Sequence, residues 1–183
     1  NVQEYLAYAR ANPGKINIGT TGAGAFNHLA MALLHLMTKT QATFIHYKGG
    51  SQVITDMLAG RIDFSLPSMS GTMPLVRSGK LRVLALSSLK RSPSVPDAPT
   101  LKESGHDVEA YLWVGLFATA GTPEATLTKL RDVIRKSVAD PAFQDAMRKA
   151  DVVIDYRDAA QFKEFFDSDY KRLAGAVKKI GKI

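Results

Sequence analysis

The sequence predicts an α/β protein: a mostly parallel sheet with flanking helices in the first part of the chain, followed by a helical C-terminal part. Three observations predict it. Short β-rich apolar runs alternate with apolar stripes at helical spacing. Glycine-containing turns separate most of these runs from the helix that follows. Four such strand-to-helix steps fall within about ninety residues, which implies parallel strands whose faces are covered by the crossovers.

In chain order, Tyr5, Leu6 and Ala9 mark a short helix that stops at Asn12-Pro13-Gly14, a strong breaker. Lys15–Thr20 is expected as a strand. Phe26–Met37 is expected as a helix, with Phe26, Leu29, Ala30, Leu33, Leu34 and Met37 in a wide apolar stripe. Ala42–His46 is the next strand, and Ser51–Leu58 the next helix, with Val53, Ile54, Met57 and Leu58 apolar. Ile62–Leu66 follows as a third strand, then a short helix to Val76 and a fourth strand, Leu81–Leu86. Ser92–Pro99 holds three of the eight prolines and is expected as an extended loop. Thr100 and Glu103 have the spacing of a capping box, predicting a short helix that ends near Gly105. Tyr111–Thr119 reads as an apolar strand with Trp113 in its core. Beyond it long helices take over. Thr122-Pro123 is expected to cap one, Asp140-Pro141 to start another, and a last helix runs from Asp158 with Phe162, Phe165, Phe166, Leu173 and Val177 on its buried side.

Composition narrows the function. With 183 residues, 45% hydrophobic and 22% charged, the chain is long enough to bury a core, which argues against a disordered or fibrous protein. It predicts one domain or two small lobes. Absence of cysteine excludes disulfides, thiolate nucleophiles and Cys-based metal sites. The net charge of +7 points to an anionic partner. Residues 1–100 hold ten Lys and Arg against four Asp and Glu, while residues 101–183 hold fourteen against thirteen. The surplus thus arises from scarce acids in the first half, with no basic run interleaved with aromatics, so nucleic acid is a weak reading. Residues 16–38 lack formal charge, but their glycines, asparagines and histidines argue against a membrane anchor. The first residues show no basic stretch followed by an apolar one, so a signal peptide is not expected in this chain.

The most informative segment is Gly19-Thr-Thr-Gly-Ala-Gly-Ala-Phe-Asn-His28. A glycine turn between strand and helix presents free backbone N–H groups at the positive end of the helix, which makes an anion cradle. Its spacing is neither a dinucleotide fingerprint nor a P-loop. On this segment alone, glycines that merely make a tight turn explain the pattern about as well. Two further turns, Tyr47-Lys48-Gly49-Gly50-Ser51 and Leu66-Pro67-Ser68-Met69-Ser70-Gly71, tip the balance, because successive turns of a parallel sheet converge at the carboxyl edge of its strands. Small and hydroxyl residues there suit a carboxylate-sized ligand.

Catalytic readings are weaker. Ser87-Ser88-Leu89-Lys90 matches Ser-x-x-Lys but runs into the proline loop instead of opening a helix. The four histidines include no metal-binding pair, and His28 and His35 lie two helical turns apart. Asp56 and Asp63 flank Gly60-Arg61 and read as a solvated turn. No acid–base constellation, metal site or cofactor is expected.

Pro13-Gly14-Lys15-Ile16-Asn17, Gly22-Ala-Gly-Ala-x-x-His28-Leu29, Tyr47-Lys48-Gly49-Gly50, the segment Arg91-Ser-Pro-Ser-Val-Pro-Asp-Ala-Pro-Thr100, and Trp113-x-Gly115-Leu-Phe with Gly121-Thr-Pro123 occur in this order. Together they strongly resemble the Bug family, the TctC-like extracytoplasmic solute receptors of tripartite tricarboxylate transporters. The resemblance covers essentially the whole chain. It implies a fold like that of type II periplasmic binding proteins, in which two α/β lobes close on a small carboxylate. It implies a non-enzymatic, periplasmic receptor for a di- or tricarboxylate, amino acid or aromatic acid, handing its ligand to a membrane permease. A ligand-sensing or signalling module on the same fold is the alternative. Carried across by motif, the binding positions are Thr20, Thr21, Gly22, Ala23, Gly24 and Ala25 with His28, then Lys48, Gly49, Gly50 and Ser51, and Pro67 with Ser68. Ala25 stands where relatives often have a hydroxyl, and His46 replaces a proline common before the tyrosine. Against that family pattern, residues 1–114 are expected as the ligand-binding lobe and residues 115–183 as the helical end of the other lobe, whose N-terminal part is missing. The C-terminal helices are then expected to expose apolar faces and to pack on another copy of the chain, as a self-association, or on the near lobe.

Overall fold

The computed structural model describes residues 1–110 and 112–181. Its elements alternate as the periodicity requires: α1 (Val2–Ala11), β1 (Asn17–Thr20), α2 (Phe26–Thr38), β2 (Thr43–His46), α3 (Gly50–Leu58), β3 (Phe64–Ser65) and α4 (Met69–Arg77), then α5 (Glu124–Ala139), α6 (Pro141–Lys149) and α7 (Ala159–Ile180). The chain divides into two compact units, Asn1–Leu112 with Ala174–Ile183, and Trp113–Leu173.

In the first unit, Asn1 and Glu4 form a capping box that starts α1, and Asn12 closes it. The sheet is parallel, with strand order β2-β1-β3. Ile18 pairs with Phe44 on one side and Phe64 on the other. Ile16 and Ile18 turn one way into the core, where Val2, Ala9, Ala30, Met31 and Leu34 from α1 and α2 bury them. Each of the larger side chains contributes about 1.5–3 kcal/mol on full burial. Gly19 turns the other way. A Cβ there would stand 2.3 Å from Ile62 Cδ1 and 2.9 Å from Val53 Cγ1, so the missing side chain lets both pack directly on the strand. Ser65 Oγ donates to Gly19 O at 2.8 Å and ties β3 to the central strand.

Several expectations are corrected. The segment 81–86 forms no ladder with the sheet among the described residues; Leu86 makes an isolated parallel bridge to Thr100. The proline loop is the reason, since it brings Pro99 and Leu101 alongside, exchanging bonds of 2.8 and 2.7 Å with Leu86. The Thr100–Glu103 capping box forms, with Glu103 N–H donating to Thr100 Oγ1 and Thr100 N–H to Glu103 Oε2. It closes isolated turns instead of a helix. Strand β3 is two residues long, shorter than expected.

In the second unit, 113–119 forms no strand among the described residues, and Tyr111 lies outside them. Trp113 is half-buried, its Nε1–H donating to Asp169 Oδ2 at 3.1 Å and its ring meeting Phe162, Phe165 and Phe166 at 5.5–5.9 Å. Gly115 permits this packing: a Cβ would lie 2.6 Å from Phe162 Cζ. Asp140 caps α6 by accepting from Ala142 and Phe143 N–H, as expected. Thr122 does not cap α5; its hydroxyl donates to Thr119 O, and Pro123 occupies the cap position. Neither α5 nor α6 has a buried residue.

Candidate functional site

Because β1, β2 and β3 are parallel and adjacent, the turns after them emerge at one edge of the sheet, with the β1 turn in the middle. The three helices that follow have Ala25, Gly49 and Ser68 at their N-caps, and none of these caps makes a side-chain hydrogen bond. The N-cap side chains thus leave the first-turn N–H groups, which carry the positive end of each helix dipole, without an acceptor at all three places, although in α2 the His28 N–H donates to Asn27 Oδ1 at 3.0 Å.

The individual positions differ. Gly22 and Gly24 have φ of +146° and +75°, conformations that turn the chain sharply into α2. Thr21 donates its N–H and its hydroxyl to Asn27 Oδ1 at 3.4 and 3.3 Å. Gly24 N–H donates to His28 Nδ1 at 3.0 Å, and Ala25 N–H to Gly22 O. Lys48 N–H donates to Gln52 Oε1. The N–H groups of Gly22, Ala23, Gly49, Gly50 and Ser51 have no protein partner among the described residues. Thr20 is fully buried, and its hydroxyl lies 2.6 Å from His46 Nδ1. Pro67 and Ser68 lie in the turn after β3, with Ser68 exposed.

His28 is buried within the first turn of α2, against Phe44 and His46. Burial, reinforced by the nearby imidazole of His46, lowers its pKa, so it stays neutral and holds the turn by accepting the Gly24 N–H. Asn27 and His46 are not among the positions expected to line the site. Asn27 carries no sequence signal beyond its place in the first turn of α2, whereas His46 stands out only as a departure before the tyrosine. The place of His46 beside Thr20 follows from the register of the two strands.

Three carboxylates of the first unit, Asp56, Asp63 and Glu4, are engaged elsewhere. Asp56 accepts from Tyr47 Oη at 2.8 Å and pairs with Arg61, and both partners lower its pKa. Asp63 accepts from Asn17 N–H, and Glu4 pairs with the N-terminus. Ser87 and Ser88 donate to carbonyls, so neither has a base beside it. No group of three or more His, Asp or Glu is placed to hold a metal among the described residues. Nor is any described helix long and apolar enough to cross a membrane. Open surface hollows in the second unit lie beside Arg157 and Arg148. Asp155 and Asp145 pair with these cations.

Comparison with known proteins follows the same line. The model of the tripartite tricarboxylate transporter family receptor, TctC, matches residues 1–182. A Cupriavidus necator protein described as a UPF0065 protein in the gbd 5' region is 34% identical over 180 residues, which cover 98% of this chain and 55% of that protein. The solved structure of the periplasmic binding protein BugD superposes with a TM-score of 0.85 at 30% identity, over 99% of this chain and 62% of BugD. That of R. palustris Rpa4515 with adipate gives 0.90 at 24% identity, over 99% of this chain and 61% of Rpa4515, a likeness of fold alone. The chain therefore spans about half the length of the curated relatives it matches. The expected periplasmic-binding-protein fold is shown by these superpositions.

Proposed function

The chain belongs to the tripartite tricarboxylate transporter receptors, a family of solute-binding proteins and not of enzymes, and on that premise we propose that its glycine turns bind a small carboxylate. The observation that carries the reading is the convergence at one sheet edge of three helix N-termini whose N-cap side chains make no cap bond. Gly22, Ala23, Gly49, Gly50 and Ser51 supply N–H donors, and Lys48 supplies a cation. Thr20, Thr21, Gly24, Ala25 and His28 hold the first turn in shape, and Pro67 with Ser68 forms the third. Neighbouring strands are about 4.8 Å apart, so the outer turns are separated by about 10 Å, a span that suits a short dicarboxylate better than a single small anion. Rpa4515 was solved with adipate, and the same class of ligand is proposed here.

The remainder of the proposal follows from the family. The receptor works in the periplasm, residues 1–114 form the ligand-binding lobe, and residues 115–183, apart from the end of α7 that groups with the first unit, belong to the opposite one. Closure on the anion orders the turns and presents the loaded protein to a membrane permease. Backbone donors recognise charge and size, so the ligand is selected by the spacing of its carboxylates.

Calorimetry with adipate, citrate and nicotinate, and with neutral adipamide as control, tests the proposal. Saturable binding of at least one acid and none of the diamide is expected. Equal binding of adipamide, or no binding of any acid, would contradict it.

A further inference from the structure

We propose that His46 is the ligand-facing histidine of this site and determines its specificity, adding a side-chain N–H donor to the backbone donors of the glycine turns. The inference rests on the carboxylate reading above and deepens it. His46 is the last residue of β2 and lies in register with Thr20, the last residue of β1, so it stands between the first and second turns. His46 is exposed, whereas Thr20 beside it is fully buried. Nδ1 is 2.6 Å from Thr20 Oγ1, while the alternative acceptor for that hydroxyl, Gly22 O, is at 3.4 Å. With Thr20 donating to Nδ1, the ring proton resides on Nε2, at the opposite edge of the imidazole. The ring is further fixed against His28, at 4.8 Å and 72° between planes.

His28 is unsuited to the same task. It is buried and already accepts the Gly24 N–H at Nδ1, a bond that requires it neutral. The Nε2–H of His46 thus donates to one oxygen of the ligand carboxylate, beside the backbone donors of the turns.

Adipate serves as the probe, by calorimetry at one fixed pH. His46→Phe, which keeps a ring packed on His28 but has no donor, should bind adipate about tenfold more weakly than the unmodified chain. His46→Gln, which keeps an N–H donor, should bind within about threefold of it, and so separates loss of the donor from loss of packing. Unchanged affinity in His46→Phe, or an equal loss in both variants, overturns the role of His46 while leaving the carboxylate site standing. No binding of adipate, citrate or nicotinate overturns the site itself, and this inference with it.

Discussion

A Cβ at Gly24 would touch nothing within 4 Å, and a Cβ at Gly19 would collide with two buried side chains, yet the two glycines look alike in the sequence. Gly24 is fixed by its φ of +75°, which costs an L-residue about 1–2 kcal/mol. Gly24→Val should therefore leave the first unit folded, displace the first turn and weaken adipate binding at least about tenfold; calorimetry beside a circular dichroism spectrum checks both halves. Gly19 is fixed by space. Gly19→Ala pushes on Ile62 and Val53, both almost fully buried, and should lower stability by about 1–3 kcal/mol, read as a lower urea midpoint. An unchanged midpoint would show that α3 can move off the sheet freely. The glycine pattern announces the turn but does not separate these causes, because one is a dihedral angle and the other a neighbour brought in by the fold.

Elements with a local cause are legible in the sequence. The breaker after α1, the apolar stripe of α2 and the Asp140-Pro141 start of α6 are where the spacing places them. Elements that depend on a distant partner are not. Segments 81–86 and 112–119 have strand composition, but composition cannot supply a neighbouring strand. The same holds for the buried link between α1 and α2. His35 bonds Tyr5 Oη at 2.8 Å and Thr40 Oγ1 at 2.7 Å, and burial lowers its pKa from the ordinary 6.5 to about 4. The unfolded chain takes a proton here as the pH falls through about 6.5, and the folded chain only near 4. Stability is therefore complete above that window and is lost as the pH drops through it, by an amount on the order of 2–3 kcal/mol. Urea unfolding at a series of pH values should show this loss, and His35→Gln should flatten it. Parallel losses in both proteins would assign the acid sensitivity to other groups.

Across the whole molecule, charge and apolar surface are segregated. The shortage of acids leaves residues 1–100 with a net positive charge, and the acids present are largely committed to partners. In the second unit Val114, Leu116, Phe117 and Val153 are 72–87% exposed. Apolar surface of this kind favours association, so the chain should sediment as larger species with rising concentration, and the double change Val114→Asp, Leu116→Lys should reduce them. A concentration-independent monomer that takes up no apolar dye would contradict this. The family is legible in the ordered motifs. The roles of individual donors are not, since whether an N–H is free depends on Asn27, His28 and Gln52 folding back onto the turns. That detail also supplies the most direct test of the central claim. In an amide NMR titration with adipate, the signals of Gly22, Ala23, Gly49, Gly50 and Ser51 should shift together and saturate at one common concentration. Saturating shifts confined to residues away from these turns, or none at all, would contradict the account.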